Sequence, residues 1–145
     1  MARSVRKYTK EFKQEAGKKN ITLSFVPVGD LVVYADRDHT VEVINNLISN
    51  AIKYTEKGSI SIYGKKQKGR AIVSVSDTGI GIKAQNQPHI FEKFYITDSW
   101  IKKEAESNGL GLYISRLLLN LMDGKITVAS EVGKGSTFTF TLPLA

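Results

Sequence analysis

The chain has 145 residues, 41% apolar and 24% charged, proportions that suit one globular domain with a single hydrophobic core and exclude a multidomain machine or a fibrous repeat. Cysteine is absent, which excludes a disulfide framework, a thiolate zinc site and a catalytic thiol. The formal net charge is +7, but Arg3, Arg6, Lys7, Lys10, Lys13, Lys18 and Lys19 against Glu11 and Glu15 place +5 of it in residues 1–20, and an arm of that kind, without interleaved aromatics, argues against nucleic acid as a partner.

Val5, Tyr8, Phe12 and Ala16 recur at helical spacing and predict a first helix that stops near Gly17 to Asn20. Ile21 to Val26 and Leu31 to Tyr34 read as short strands around Pro27 and Gly29. From Arg37 to Thr55 the period becomes helical: Val41, Ile44, Leu47, Ile48, Ala51 and Ile52 share one face, and Asp36 or Asp38 can cap the start. Ser59 to Gly64 and Ala71 to Ser76 predict a hairpin across the basic link Lys65 to Arg70. Residues 77–108 lose periodicity except for a short piece at Pro88 to Phe94, and irregular stretches of this length in compact domains usually carry function. Leu110 to Met122 resumes a helical pattern, and Lys125 to Ser130 and Thr137 to Leu142 close the chain as strands around Gly133 and Gly135. The expected class is α+β, a two-layer α/β sandwich in which a mixed sheet carries helices on one face.

On the long helix, Asn46, Asn50 and Lys53 project from one arc opposite the apolar face, with Glu42 at its edge and Tyr54 between the two sides. Asn is a mediocre helix former, so two of them one turn apart require either plain solvent exposure or a ligand. Carboxamide oxygens suit a hard cation such as Mg2+, and a lysine suits phosphate. Asp77-Thr78-Gly79-Ile80-Gly81-Ile82 follows a strand, and its glycines allow close approach of the backbone to a ligand or a turn with positive φ. Gly79, Gly81 and Ala84 also fit a dinucleotide fingerprint, but no amphipathic helix opens there, which disfavours a Rossmann site. Gly109-Leu110-Gly111-Leu112 does open a helix, where free amides can seat phosphate or the glycines can act as a plain hinge. Gly133-Lys134-Gly135-Ser136-Thr137 reads as a tight turn between strands.

Five segments in this order, Asn45 to Thr55, Asp77 to Ile82, Ile90 to Tyr95, Gly109 to Leu112 and Gly133 to Phe138, resemble the boxes of the catalytic ATP-binding domain of sensor histidine kinases, within the Bergerat-fold ATPase superfamily. The resemblance covers nearly the whole chain and implies the Bergerat fold, a mostly antiparallel sheet with about three helices on one face. It implies that residues 1–145 form one catalytic domain which binds ATP and Mg2+ and phosphorylates a histidine on a separate dimerisation and phosphoacceptor domain. Position by position, it implies that Asn50 ligates the metal, that Asn46 supports the metal-triphosphate end and that Lys53 contacts phosphate. Tyr54 would flank the nucleotide, Asp77 would accept the adenine amino group with support from Thr137, and Ile80 and Ile82 would line the base pocket between Gly79 and Gly81. Phe94 belongs to the nucleotide site, residues 95–108 to its lid, and Gly109, Leu110, Gly111 and Leu112 to the phosphate seat.

Asn46 stands where gyrase-like and heat-shock-chaperone-like relatives carry a glutamate general base, so hydrolysis is expected to be slow. Ile96 stands where an arginine is common, which leaves Lys93, Lys102 or Lys103 as cations near the γ-phosphate; Lys83 and Asn108 depart from the common Pro and from Gly or Thr. His39 and His89 lack the acceptor-helix motif and read as surface or capping residues. The resemblance therefore implies a fragment of a two-component kinase whose acceptor helices lie elsewhere. This part would be cytoplasmic in an often membrane-anchored parent, with a response regulator as indirect partner. An ATP-binding regulatory module or pseudokinase, another Bergerat-fold ATPase and a serine kinase are the alternatives.

Overall fold

A computed structural model describes residues 12–26, 31–93, 95 and 110–145. Residues 12–18 form the described part of helix α1. Then follow strand β1 (Ile21–Val26), helix α2 (Arg37–Lys53), the strands β2 (Gly58–Gln67) and β3 (Arg70–Asp77), a short 3-10 turn at Gln87–His89, helix α3 (Gly111–Leu121), and the strands β4 (Lys125–Glu131) and β5 (Gly135–Pro143). The strands form one sheet in the order β1-β2-β3-β5-β4. β1 pairs with β2 in parallel and every other pair is antiparallel, so the sheet is mixed and mostly antiparallel as expected.

The core lies between the helices and one sheet face. Val43, Ile44, Leu47, Ile48, Ala51 and Ile52 of α2 meet Ile60, Ile62, Val73, Val75, Phe138, Phe140 and Leu142 of the sheet, and Ala16 and Leu119 add the flanking helices. Thr40 and Val43 are buried where the helical pattern pointed to Val41, which is only partly covered. On the opposite sheet face, cross-strand hydroxyls pair with one another: Ser74 with Thr139 at 2.9 Å, Ser76 with Thr137 at 2.8 Å.

Two expectations change. The hairpin link is two residues, not six: Lys68 and Gly69 both have positive φ and close a tight turn, so Lys65 to Gln67 extend β2 as exposed, paired strand residues. Leu31 to Tyr34 is not a strand but a single antiparallel bridge between Val33 and Leu144, because Pro143 has no N–H with which to continue the ladder.

Candidate functional site

Asp77 ends β3 and is 8% exposed. Its Oδ1 accepts the amides of Gly79 at 2.9 Å and, from across the sheet, Ser136 at 3.3 Å. Burial pushes its carboxyl above the ordinary value of 3.8, and those two amides pull the other way. With one oxygen committed to the backbone, the second is left to accept a donor from a ligand. The surrounding chain tolerates no extra atoms. A Cβ on Gly79 would meet the Tyr54 carbonyl and lie 2.9 Å from both Asp77 Oδ1 and Thr55 Oγ1, and one on Gly135, where φ is +121°, would strike the Asp77 carbonyl.

The loop after Asp77 is anchored on two sides. Ile80 N–H donates to the Tyr54 carbonyl at 3.1 Å and its own carbonyl accepts from Gly133 N–H at 3.0 Å. Ile82 N–H donates to Ser130 Oγ at 2.8 Å, and the Gln87 carboxamide donates to the carbonyls of Ile82 and Ser130, both at 3.0 Å. The 3-10 turn, the β4–β5 turn and the end of α2 thus hold the loop carrying Gly79, Ile80, Gly81 and Ile82. Ile82 and Tyr54 are buried in the core, while Ile80 packs against it partly exposed.

Eight residues back along α2, about 12 Å at a rise of about 1.5 Å per residue, Asn46 meets the start of α3. Its Nδ2 donates to the Gly111 carbonyl and to Ser115 Oγ, both at 3.2 Å. Asn46 is therefore turned partly into the seam between the helices instead of standing clear of the apolar side, because α3 lies along that flank of α2. The side chain of Asn50, between Asn46 and Tyr54, makes no hydrogen bond to any described residue, and the residue is partly exposed. Lys53 stands with its ammonium 5.9 Å from the Tyr54 ring centroid. The helix α3 starts at Gly111 with Leu110 as its cap residue, whose side chain caps none of the first amides. Leu112 is buried and can offer only its backbone.

Thr137 does not support Asp77. It pairs with Ser76 on the opposite sheet face, and the residue that faces Asp77 in register is Ser136. His89 pairs with Glu92 at 2.8 Å, and His39 lies 3.9 Å from the Asp36 carboxylate, in keeping with surface and cap positions. Lys93 is exposed. Phe94, Ile96, Lys102, Lys103, Asn108 and Gly109, and the lid apart from Tyr95, lie outside the described residues. Nothing in the sequence alone marks Ser115, Ser130 or Gln87 as part of the site, and Thr55 and Ser136 fall inside box segments without a role of their own being read there.

The arrangement has a buried carboxylate at one end, a lysine and two carboxamides along α2, and the start of α3 at the other end. No group of three or more His, Cys, Asp or Glu among the described residues could hold a metal by itself. The donor set fits Mg2+ only as a cation carried on a ligand's phosphates and completed by one or two carboxamide oxygens.

Residues 35–145 match the family described as histidine kinase-, DNA gyrase B- and HSP90-like ATPase. The chain belongs to this family. It is 37% identical over 138 residues to the sensor histidine kinase RppB of Synechocystis sp., covering 94% of this chain and 30% of that protein. It is 35% identical over 132 residues to the sensor histidine kinase YclK of Bacillus subtilis, covering 90% of this chain and 28% of that one. Among solved structures, full-length ShkA in complex with AMPPNP superposes with a TM-score of 0.87 at 30% identity, over 98% of this chain and 29% of ShkA. The nucleotide-free catalytic domain of the histidine kinase ThkA gives 0.86 at 31% identity, over 99% and 92%. The fold is thus that of histidine kinase catalytic domains, and the chain spans under a third of the sensor kinases named here.

Proposed function

We propose that this domain binds ATP with Mg2+ and transfers the γ-phosphoryl group to a histidine on a separate dimerisation and phosphoacceptor domain, as the catalytic part of a cytoplasmic two-component signalling module. The observation that carries the reading is Asp77: a buried carboxylate with one oxygen held by two backbone amides and the other left for a ligand donor. An adenine amino group supplies such a donor, whereas guanine offers a carbonyl acceptor at the same place, so the carboxylate selects adenine. From Asp77, the α2 flank leads past Tyr54 to Asn50 and on to Asn46, about 12 Å along the helix from Tyr54. Mg2+, when bound, neutralises triphosphate charge, with Asn50 and Asn46 as the protein oxygens beside it. Lys53 and the amides from Gly111 onward hold phosphate oxygens.

In the transfer step an imidazole nitrogen of the acceptor attacks the γ-phosphorus, the bond to the β–γ bridging oxygen breaks and ADP leaves with that electron pair. The domain contributes positioning and charge stabilisation, which supply most of the catalysis in phosphoryl transfer. Asn46 cannot take a proton, so water is not activated in place of the imidazole. The response regulator receives the phosphoryl group afterwards and does not touch this site.

Calorimetric titration of ATP and GTP, with and without Mg2+, into the chain and into Asp77→Asn tests the reading. The wild type is expected to bind ATP and not GTP. Asp77→Asn can keep its two backbone bonds only by turning its amide donors toward the adenine donor, so its ATP affinity falls by about 10- to 100-fold, the range for a lost hydrogen bond to a charged group. Equal binding of GTP by the folded chain would overturn adenine selection. ATP binding without phosphorylation of an added acceptor domain would leave a regulatory nucleotide-binding module.

A further inference from the structure

Ser115 is fully buried on α3, at 0% exposure. Its hydroxyl proton goes to the Gly111 carbonyl one turn earlier, at 2.9 Å. With that proton committed, the oxygen can only accept, and it accepts from Asn46 Nδ2 at 3.2 Å. The same Asn46 Nδ2 also donates to the Gly111 carbonyl at 3.2 Å. The donor end of the carboxamide is turned onto α3, and its Oδ1 has no hydrogen bond to any described residue. A flipped carboxamide would set its oxygen against the Gly111 carbonyl and against a hydroxyl with no proton to give. Chemistry therefore fixes the orientation. Alanine would favour the helix more than serine at this interior position, so helix formation does not account for Ser115.

We propose that Ser115 is a positioning residue that locks the Asn46 carboxamide with its oxygen turned away from α3, toward the phosphate end of the cleft, so that Asn46 serves the cation or its water shell as an acceptor and gives no hydrogen bond to phosphate. This rests on the ATP–Mg2+ reading above. Without the Ser115 acceptor, the Asn46 carboxamide keeps only the Gly111 carbonyl to hold its donor end on α3, and its orientation is held less firmly. The weakening is confined to the cation end of the site, because Asp77 and its loop lie about two helical turns away and share no hydrogen bond with Ser115.

ATP is titrated with Mg2+ and with EDTA into wild type, Ser115→Ala, Asn46→Ala and the double variant. Ser115→Ala adds no volume and raises helix propensity, so the fold is retained. The expected result is a loss of about three- to tenfold in affinity in the presence of Mg2+, the range one neutral hydrogen bond supports, and none in EDTA. The double variant is expected to bind no more weakly than Asn46→Ala alone, since Ser115 acts through Asn46. A residue that only packs the helix seam would lower both affinities equally or add its effect to that of Asn46→Ala. Either pattern, or unchanged Mg2+-dependent affinity in Ser115→Ala, sinks the proposal while the nucleotide reading stands. Failure of the wild type to bind ATP at all would instead remove both.

Discussion

Asp77 carries opposite consequences for stability and for binding. Its folded-state pKa lies above 3.8, so between that value and the raised one the folded chain holds a proton that the unfolded chain has released. Stability conferred through this group therefore falls as pH rises across that window, and the ionised carboxylate costs stability at neutral pH. On the proposed role of Asp77, binding runs the other way, because the adenine amino group needs an ionised acceptor. ATP affinity is expected to weaken on acidification through the raised pKa, and the same titration in Asp77→Asn to be flat; calorimetry in a pH series reads both. Asp77 and its glycines are legible in sequence through the family resemblance, since the residue types alone point only to a close backbone approach or a turn. Ser136, Ser130, Gln87 and Ser115 are not, because their roles arise from cross-strand register and from which flank of α2 meets α3. The expectation for Thr137 missed by one residue for the same reason: adjacent strand residues face opposite sides, and only the register with β3 decides which of them faces the carboxylate.

The helix α2 shows how an element is set independently of the site it carries. Asp36 accepts the His39 amide at 2.9 Å and caps the end of the helix remote from Asn50 and Tyr54. Asp36→Ala is expected to cost about 1 kcal/mol, measured as a lower urea midpoint, with ATP affinity unchanged. Of the two caps that sequence allowed, the structure uses Asp36. The pattern of α2 was legible because five of its seven buried positions, Ile44, Leu47, Ile48, Ala51 and Ile52, recur as apolar residues at helical spacing; the extent of β2 was not, since Lys65 to Gln67 read as a link on charge alone and become strand only through pairing with Arg70 to Ile72. The missing strand at Leu31 to Tyr34 has the converse cause, an apolar run whose partner includes a proline.

For the whole molecule, one layer of helices on one sheet face makes a single core, and residues of β5 lie at its centre. Phe140 is 0% exposed, and Phe140→Ala is expected to remove about 3–5 kcal/mol, a large part of the roughly 5–15 kcal/mol typical of a domain, read in chemical denaturation. The two-layer class was legible from helices interspersed with hairpin-linked strands. The strand order and the parallel β1–β2 pair were not, because local periodicity carries no information on which strands become neighbours.

That order has a kinetic side. β2–β3 and β4–β5 close over turns of two and three residues, whereas the seam between β3 and β5 joins residues as far apart as Arg70 and Pro143. Local hairpins close fast, and distant pairing carries the larger loop-closure cost. The Ser136 amide reaches Asp77 across that seam, so the two halves must have met before the carboxylate has both its partners. On the proposed role of Asp77, competence to bind adenine would be a late acquisition of the folding chain, and a nucleotide meeting a half-formed domain would find no selective pocket in it.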